Sequence, residues 1–319
     1  MPTISVHIIT HNSVSTIQAC LDALLNQTGV DFQTLVLDNA SVDDTCRLVE
    51  DAGISLVQSN ENLGYALAHN RLIDQTDSAY VLTLNPDVRL MPGFLEAMRK
   101  VLDENMKLGS AAGQLLRVDQ LDDSPEVIDS AGVHMRRNRR QGLLGENISI
   151  VDYPEQSKPI FGPDGAAAFY RRAMLDDVRV MGEVFDADFF MHKEDIDLCW
   201  RAQLRGWSSV YVPAAVAKHI RSFRPGRRER VSAYMRFLGV RNRYLLMLKN
   251  EIPAHFWHDF PFIAAYDAGI VAYMLLFERE SLSAFRSLLA LRPRMLEKRR
   301  QIQAGRRVEW HDIAGWFVG

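Results

Sequence analysis

The stretch ISVHIITHNSVSTIQACLDALLNQTGVDFQTLVLDNAS, residues 4–41, decides the fold. Ile4 to Thr10 is an apolar, β-branched run that stops at His11 and Asn12, which predicts a strand. Ile17, Leu21, Leu24 and Leu25 then recur at helical spacing. Phe32 to Leu37 reads as a second strand, broken by Asp38, Asn39, Ala40 and Ser41. Strand, helix and strand at this spacing form a βαβ unit, whose crossover sets the two strands parallel.

The pattern continues outward. Asp43 to Ala52 predicts a helix closed by Gly53, and Ile54 to Gln58 a third strand. Tyr65 to Ile73 predicts a third helix, Ala79 to Leu84 a fourth strand, Pro92 to Glu104 a helix with proline at its start, and Ser110 to Val118 a further strand. Open parallel sheets bind ligands beyond the carboxyl ends of their strands. Thr10 and Asn12, then Asp38, Asn39 and Ser41, then Asn62 and Gly64, then Asn85 to Asp87 all fall at such ends, and together they form the expected site. The first strand–helix turn, THNSVST, lacks the GxGxxG of dinucleotide-binding domains, and no GxxxxGK[ST] loop occurs, so any nucleotide is held by other means.

A second informative stretch is FDADFFMHKEDIDLCWRAQLRGW, Phe185 to Trp207. Ile196, Cys199, Trp200, Leu204 and Trp207 recur at helical spacing, so a helix starts at the acids Glu194, Asp195 and Asp197, with Gly206 as its stop. The helix dipole is expected to lower the pKa values of those acids and keep them ionised, ready to accept a proton. The same acids also suit the plain capping of a surface helix. At 319 residues and 47% hydrophobic content the chain can bury a large core, and a net charge of -3 with pI near 6.3 argues against a general nucleic-acid binder. Cys20, Cys46 and Cys199 are scattered without metal-ligand spacing and read as buried thiols of a reducing compartment. The N-terminus carries no basic n-region, so no signal peptide is read there.

Within that stretch, FFMHKEDIDLCWRAQLRGW, followed by YVPAAVAKH, resembles the catalytic segment of glycosyltransferase family 2, in its rhamnosyltransferase-like branch. NENLGYALAHN, Asn60 to Asn70, resembles that family's Asn-x-Gly-x-x-x-Ala-x-Asn signature, although Arg71 stands where the family often has Gly. LTLNPDV, Leu82 to Val88, is similar to its Asp-x-Asp motif in the Asn-Pro-Asp form, and GPDGAAAFYRRAML, Gly162 to Leu175, to its glycine-rich strand.

The resemblance implies an α/β GT-A type, nucleotide-sugar-binding, Rossmann-like domain over residues 1–230 with a mostly parallel central sheet, and a helical C-terminal region over 231–319. It implies a general base at Asp195 beside Glu194, and a nucleotide-sugar site made by Thr10, Asn12, Asp38, Asn39, Ser41, Asn62, Gly64, Asn70, Asn85, Asp87, Asp164 and Gly165. Mg2+ or Mn2+ is expected at Asp87 with His219. The implied reaction is inverting transfer of a sugar, first rhamnose from dTDP-rhamnose and second a UDP-hexose, to a saccharide or a polyprenyl-pyrophosphate-linked acceptor in bacterial polysaccharide or cell-wall biosynthesis. A non-catalytic nucleotide-sugar-binding scaffold is the alternative from another class; the intact Asp87, Glu194 and Asp195 argue against it.

Three stretches remain. Ile128 to Ile150, with Arg136, Arg137, Arg139 and Arg140, reads either as a hairpin over the site or as a solvated loop. RSFRPGRRER, Arg221 to Arg230, puts five arginines in ten residues and suits a diphosphate partner or a solvated loop. Trp257 to Phe277 is mostly apolar but holds Pro261 and Asp267, a poor spanning segment. With Leu282 to Leu291 and the basic tail Arg292 to Arg307, it reads either as helices on an anionic membrane surface or as a soluble hairpin that packs on the catalytic domain or forms a homodimer. A cytoplasmic location, peripheral at the inner face of the plasma membrane, is expected.

Overall fold

The computed structural model describes residues 2–121, 123–220 and 231–319. Its first half follows the alternation read from residue 4 onward: β1 (Ile4–Thr10), α1 (Ile17–Leu25), β2 (Phe32–Asn39), α2 (Thr45–Asp51), β3 (Ser55–Ser59), α3 (Gly64–Ile73) and β4 (Tyr80–Leu84). Next come β5 (Val88–Leu90), α4 (Phe94–Glu104), β6 (Leu108–Arg117), and three short strands, β7 (Ile128–Ser130), β8 (Val133–Arg136) and β9 (Gln141–Leu143). Pro92 lies in the turn before α4, whose N-cap is Gly93 at φ 81°, a left-handed turn open to glycine.

After β10 (Lys158–Ile160) and β11 (Ala167–Arg171) the chain makes α5 (Arg172–Asp177), α6 (Glu194–Leu204) and β12 (Ser208–His219). β12 carries His219 as its final residue. The central sheet has the order β10-β12-β6-β11-β4-β1-β2-β3. β1 pairs in parallel with both β2 and β4, and the register sets Thr10 beside Asp38. β11 is inserted antiparallel between β4 and β6, so the sheet is mixed but mostly parallel at its centre.

Alternation along these strands gives the sheet two faces. Ile4, Val6, Ile8, Leu82 and Leu84 pack with Ile17 and Leu21 of α1 and with Phe94 and Met98 of α4. Val81, Ala168 and Tyr170 point the other way, onto Ala66 of α3, Met174 of α5 and Leu198 of α6. Period-two burial with a helix layer on each side is the arrangement that hides both faces of a parallel sheet.

The C-terminal part holds α7 (Ala233–Asn250), α8 (Pro253–Phe277), α9 (Ser283–Ala304), α10 (Trp310–Ala314) and β13 (Phe317–Val318). α8 is one unbroken helix, since Pro261 removes one backbone donor without ending it. Leu282 to Leu291 and most of the basic tail merge into the single helix α9. This region shares its core with the sheet-bearing part: Trp200, Leu204 and Phe161 pack with Leu245, Ile252, Met295, Ile302, Ile313 and Phe317. β13 also pairs with β8 of the β8–β9 hairpin, making a small three-stranded sheet. That hairpin is the form taken by the Arg136–Arg140 stretch, with Arg139 buried at its tip against Glu251 and Asp259 of the C-terminal region. The arginine run 221–230 and the boundary drawn at residue 230 lie outside the described residues.

Candidate active site

The loops after β1, β2 and β3 close on one another. Asp38 accepts from the Thr10 hydroxyl at 2.7 Å, from the Ser41 backbone N–H at 2.8 Å and from the Ser41 hydroxyl at 2.5 Å. Asn12, at φ 53°, donates its N–H to Ser41 Oγ and accepts from Val42 N–H. Asn39 accepts from Leu63 N–H at 3.1 Å and donates to the Gly64 carbonyl at 3.1 Å, which ties the β2 loop to the start of α3. Asn62 turns back on its own chain, accepting from Gly64 N–H at 2.9 Å.

Two expected nucleotide-sugar contacts take other partners. A Cβ on Gly64 would stand 2.5 Å from the Phe190 carbonyl oxygen, so its glycine, at φ 74°, makes room for the loop before α6. Asn70 is buried, donates to the Phe185 carbonyl at 2.7 Å and accepts from Phe185 N–H at 2.9 Å. Its amide is used in holding the Phe185 segment against α3, and a nucleotide would have to displace that pairing.

Asn85, Pro86 and Asp87 form the turn between β4 and β5. Asp87 Oδ1 is buried with no hydrogen-bond donor on it, and His219 Nε2 lies 3.5 Å away. The other ring nitrogen of His219 is held by Asp129 at 2.8 Å, and Asp129 is paired in turn with Arg117 at 2.9 Å. An imidazole oriented by a carboxylate and facing a second, undonated carboxylate oxygen is a donor set that fits a divalent cation. No group of three His, Cys, Asp or Glu placed to hold a metal ion together occurs among the described residues, so such an ion would draw its remaining ligands from phosphate oxygens and water.

Asp195 opens α6 half-buried, with Oδ2 accepting from Gly165 N–H at 3.1 Å and Oδ1 from Ile196 N–H at 2.8 Å. The expectation that the helix dipole lowers its pKa is overturned. Burial first, and the nearby Asp164 carboxylate second, push Asp195 up to about 6, against the pull of the two N–H donors. Burial and the Asp195 charge push Glu194 further, well above the ordinary carboxylate range. The dipole acts within a first turn that is desolvated and crowded with like charge, and there those two costs win. Asp164 caps its own loop through Ala166 N–H at 3.0 Å, which places its carboxylate to act on Asp195.

Several residues around this centre carry no motif. Tyr65 donates to the Gly165 carbonyl at 2.8 Å, bracing the peptide that holds Asp195. Phe190, His192 and Lys193 all adopt positive φ, an energetically costly path into α6. It is clamped from both sides. Tyr65 N–H donates to the Phe190 carbonyl at 2.8 Å, while Asn242 of α7 reaches the carbonyls of Phe189, Met191 and His192 at 2.8–3.0 Å. Behind the loop, buried Asp186 and Asp197 are neutralised by Lys249 of α7 and Lys298 of α9. No local sequence pattern marks these pairs, because they join positions 52 to 112 residues apart.

Residues 5–179 match the model of the family described as glycosyl transferase family 2, more than half of the chain. The chain therefore belongs to glycosyl transferase family 2. Over 217 residues, 60% of this chain and 68% of the relative, it is 29% identical to the N-acetylglucosaminyl-diphospho-decaprenol L-rhamnosyltransferase of Mycobacterium tuberculosis. It is 23% identical over 220 residues to the low-salt glycan biosynthesis hexosyltransferase Agl10 of Haloferax volcanii, covering 66% of each chain.

Among solved structures, S. aureus TarS 1–349 superposes with TM-score 0.57 at 16% identity, over 95% of this chain and 88% of that one. The mannosyltransferase PcManGT of Pyrobaculum calidifontis, in complex with GDP-Man and Mn2+, superposes with TM-score 0.53 at 15% identity, over 95% and 85%. GalNAc-T7 with UDP, GalNAc and Mn2+ superposes with TM-score 0.58 at 11% identity; 77% of this chain is covered, but it spans only 48% of that protein. These structural likenesses establish the GT-A fold. The family match stops before the Asp195 segment, so the reading of that segment stands on its own geometry.

Proposed function

We propose that this protein is an inverting, metal-dependent glycosyltransferase that moves rhamnose from dTDP-rhamnose to a hydroxyl of a saccharide carried on a polyprenyl diphosphate. The observation that carries the reading is the meeting of two loops on one short segment. Gly165 N–H holds Asp195, and the carbonyl of the next residue, Ala166, accepts from Asn85 N–H at 2.8 Å in the Asn-Pro-Asp turn. Asp195 and the turn that carries Asp87 are thus anchored to adjoining residues, an arrangement suited to a displacement at a sugar between acceptor and leaving diphosphate.

Asp195, ionised above about pH 6, takes the proton of the acceptor hydroxyl at its carboxylate. The freed oxygen attacks the anomeric carbon, the bond to the diphosphate breaks, and no covalent enzyme intermediate is needed, so configuration inverts. Asp87 and His219 would hold Mg2+ or Mn2+, which when bound supplies positive charge to the leaving diphosphate. Asp38, tied to Thr10 and Ser41, sits at the strand end where the base of the nucleotide would lie; Asn12, Asn39 and Asn62 shape the loops beside it. Asp164 and Gly165 would border the sugar.

The printed activity of the mycobacterial relative supports rhamnose and a lipid-linked acceptor. A UDP-hexose donor is the second reading, favoured by the likeness to a hexosyltransferase and to TarS in complex with UDP. The test is a thermal-shift panel of dTDP-rhamnose, UDP-hexoses and GDP-mannose with and without Mn2+, followed by transfer assays on a polyprenyl-diphosphate-linked saccharide. A UDP-hexose preference replaces the donor, binding without turnover replaces the enzyme by a scaffold, and no binding to any nucleotide-sugar sinks the reading.

A further inference from the structure

α8 is 25 residues long, on the order of 37 Å at the helical rise, and it is long and apolar enough to cross a membrane. Its two acids both face the protein. Asp259 is buried and takes Arg137 at 2.8 Å and Arg139 at 2.7 Å; Asp267 takes Arg243 at 2.8 Å. The same inner face seats Ile263 and Met274 in the protein. The outer face carries no Asp, Glu, Lys or Arg from Pro253 to Phe277. Trp257 (67% exposed), Phe260 and Phe262 stand near its start, and Leu275, Leu276 (72%) and Phe277 (70%) at its end.

An apolar outer face of that length, with aromatic side chains toward both ends, has to be covered by something. The charge distribution selects the cover. Residues 1–220 hold 19 Lys and Arg against 31 Asp and Glu, whereas residues 221–319 hold 18 against 9. A two-fold dimer through α8 would bring two such basic regions together, because an isologous contact uses the same patch twice. An anionic bilayer would instead attract the basic region and turn the acidic part away. Exposed Arg286 and Arg292 flank the exposed Leu289 on α9, whose start packs beside the end of α8 through Ala284 and Met274.

We propose that α8 lies in the plane of an anionic membrane surface, its Trp257–Phe277 face sunk into the lipid and its Asp259–Asp267 face kept on the protein. A spanning orientation would take Arg139 and Arg243 into hydrocarbon or tear them from their carboxylates, so the helix docks without crossing. The inference rests on the surface of the C-terminal region and is independent of which sugar is moved.

The test uses the full chain in flotation with vesicles of phosphatidylcholine alone or with about one-third phosphatidylglycerol. Expected are binding to the anionic vesicles only, release by high salt, and quenching of tryptophan fluorescence by brominated acyl chains that is lost in Trp257→Phe. Leu276→Glu with Phe277→Glu should lower vesicle affinity at least tenfold, while circular dichroism, nucleotide-sugar binding and nucleotide-sugar hydrolysis stay unchanged. Val42→Glu, an exposed apolar residue far along the chain, should leave vesicle binding intact. No binding to either vesicle, or binding that the double variant leaves untouched, overturns the proposal. A concentration-dependent dimer dissolved by the same double variant would give the face to a second copy, and extraction only by detergent would make α8 a span; either outcome also overturns it.

Discussion

At the scale of single residues, Asp195 is the proposed base. Its folded pKa of about 6 lies above the ordinary carboxylate value, so the active, ionised form is disfavoured and the rate should rise with pH through an acid limb near 6. A pH profile of kcat/KM flat from pH 5 to 8 would remove Asp195 from the role of base. Asp195→Asn should abolish transfer and leave donor affinity within a few-fold.

The sign of the stability effect follows from the same shift. A raised carboxylate pKa adds stability that is fully present below the unfolded value near 3.8 and is lost as pH rises through about 6. Asn does not titrate, so Asp195→Asn should raise Tm at pH 8 by roughly 2–4 °C, with the gain vanishing near pH 4. Asp87→Ala should weaken donor binding chiefly when Mg2+ or Mn2+ is present. Calorimetry with equal loss in EDTA would take the ion away from that carboxylate.

At the scale of elements, the loop from Asp186 to Lys193 decides where α6 points, and it is positioned by α3 on one side and α7 on the other. Gly64→Ala would drive a methyl group into the Phe190 carbonyl at a positive φ, so it should cost about 1–3 kcal/mol of stability and lower kcat more than it raises KM for the donor. Unchanged turnover with only lower stability would show that the loop position does not matter to the chemistry. Lys249→Met leaves two buried carboxylates short of a counter-charge, and loss on the order of 3–5 kcal/mol in denaturant unfolding is expected.

These contacts also mark what could be read from residues alone. β1 to β4 and their crossover helices were legible because each stretch buries its own face and repeats its own period. Asp195 and Asp87 were visible as motif positions, yet the pKa of Asp195 was expected with the wrong sign. Desolvation depends on what packs above a helix start, which the local pattern does not contain. The packing roles of Gly64 and Asn70 were hidden for a related reason: a glycine and an amide look the same in sequence whether a ligand or another loop approaches them.

At the scale of the whole molecule, the C-terminal helices are part of the structure that holds the site. Phe161, Trp200 and Leu204 share one core with Met295, Ile302 and Phe317, so truncation after Lys249 would uncover the side of α6 away from the sheet. Such a chain should lose the sharp cooperative unfolding of the full protein, scored by calorimetry; a truncated form that melts as sharply and binds donor would show that residues 1–249 fold alone.

The shared core has a consequence for the order in which the chain is made. Translation is vectorial, so Asp186 leaves the ribosome 112 residues before Lys298, the cation it finally meets. Until then the nascent chain has its central sheet and Lys249 but not the second counter-charge of the loop that leads to Asp195. Ribosome-stalled chains ending before Lys298 should therefore be cut readily between Asp186 and Lys193 while β1 to β4 resist protease. Equal resistance at both places would mean that the loop closes without its last partner. A chain completed in that order gains the last support of its Asp195 loop only when α9 emerges, close to the end of its synthesis.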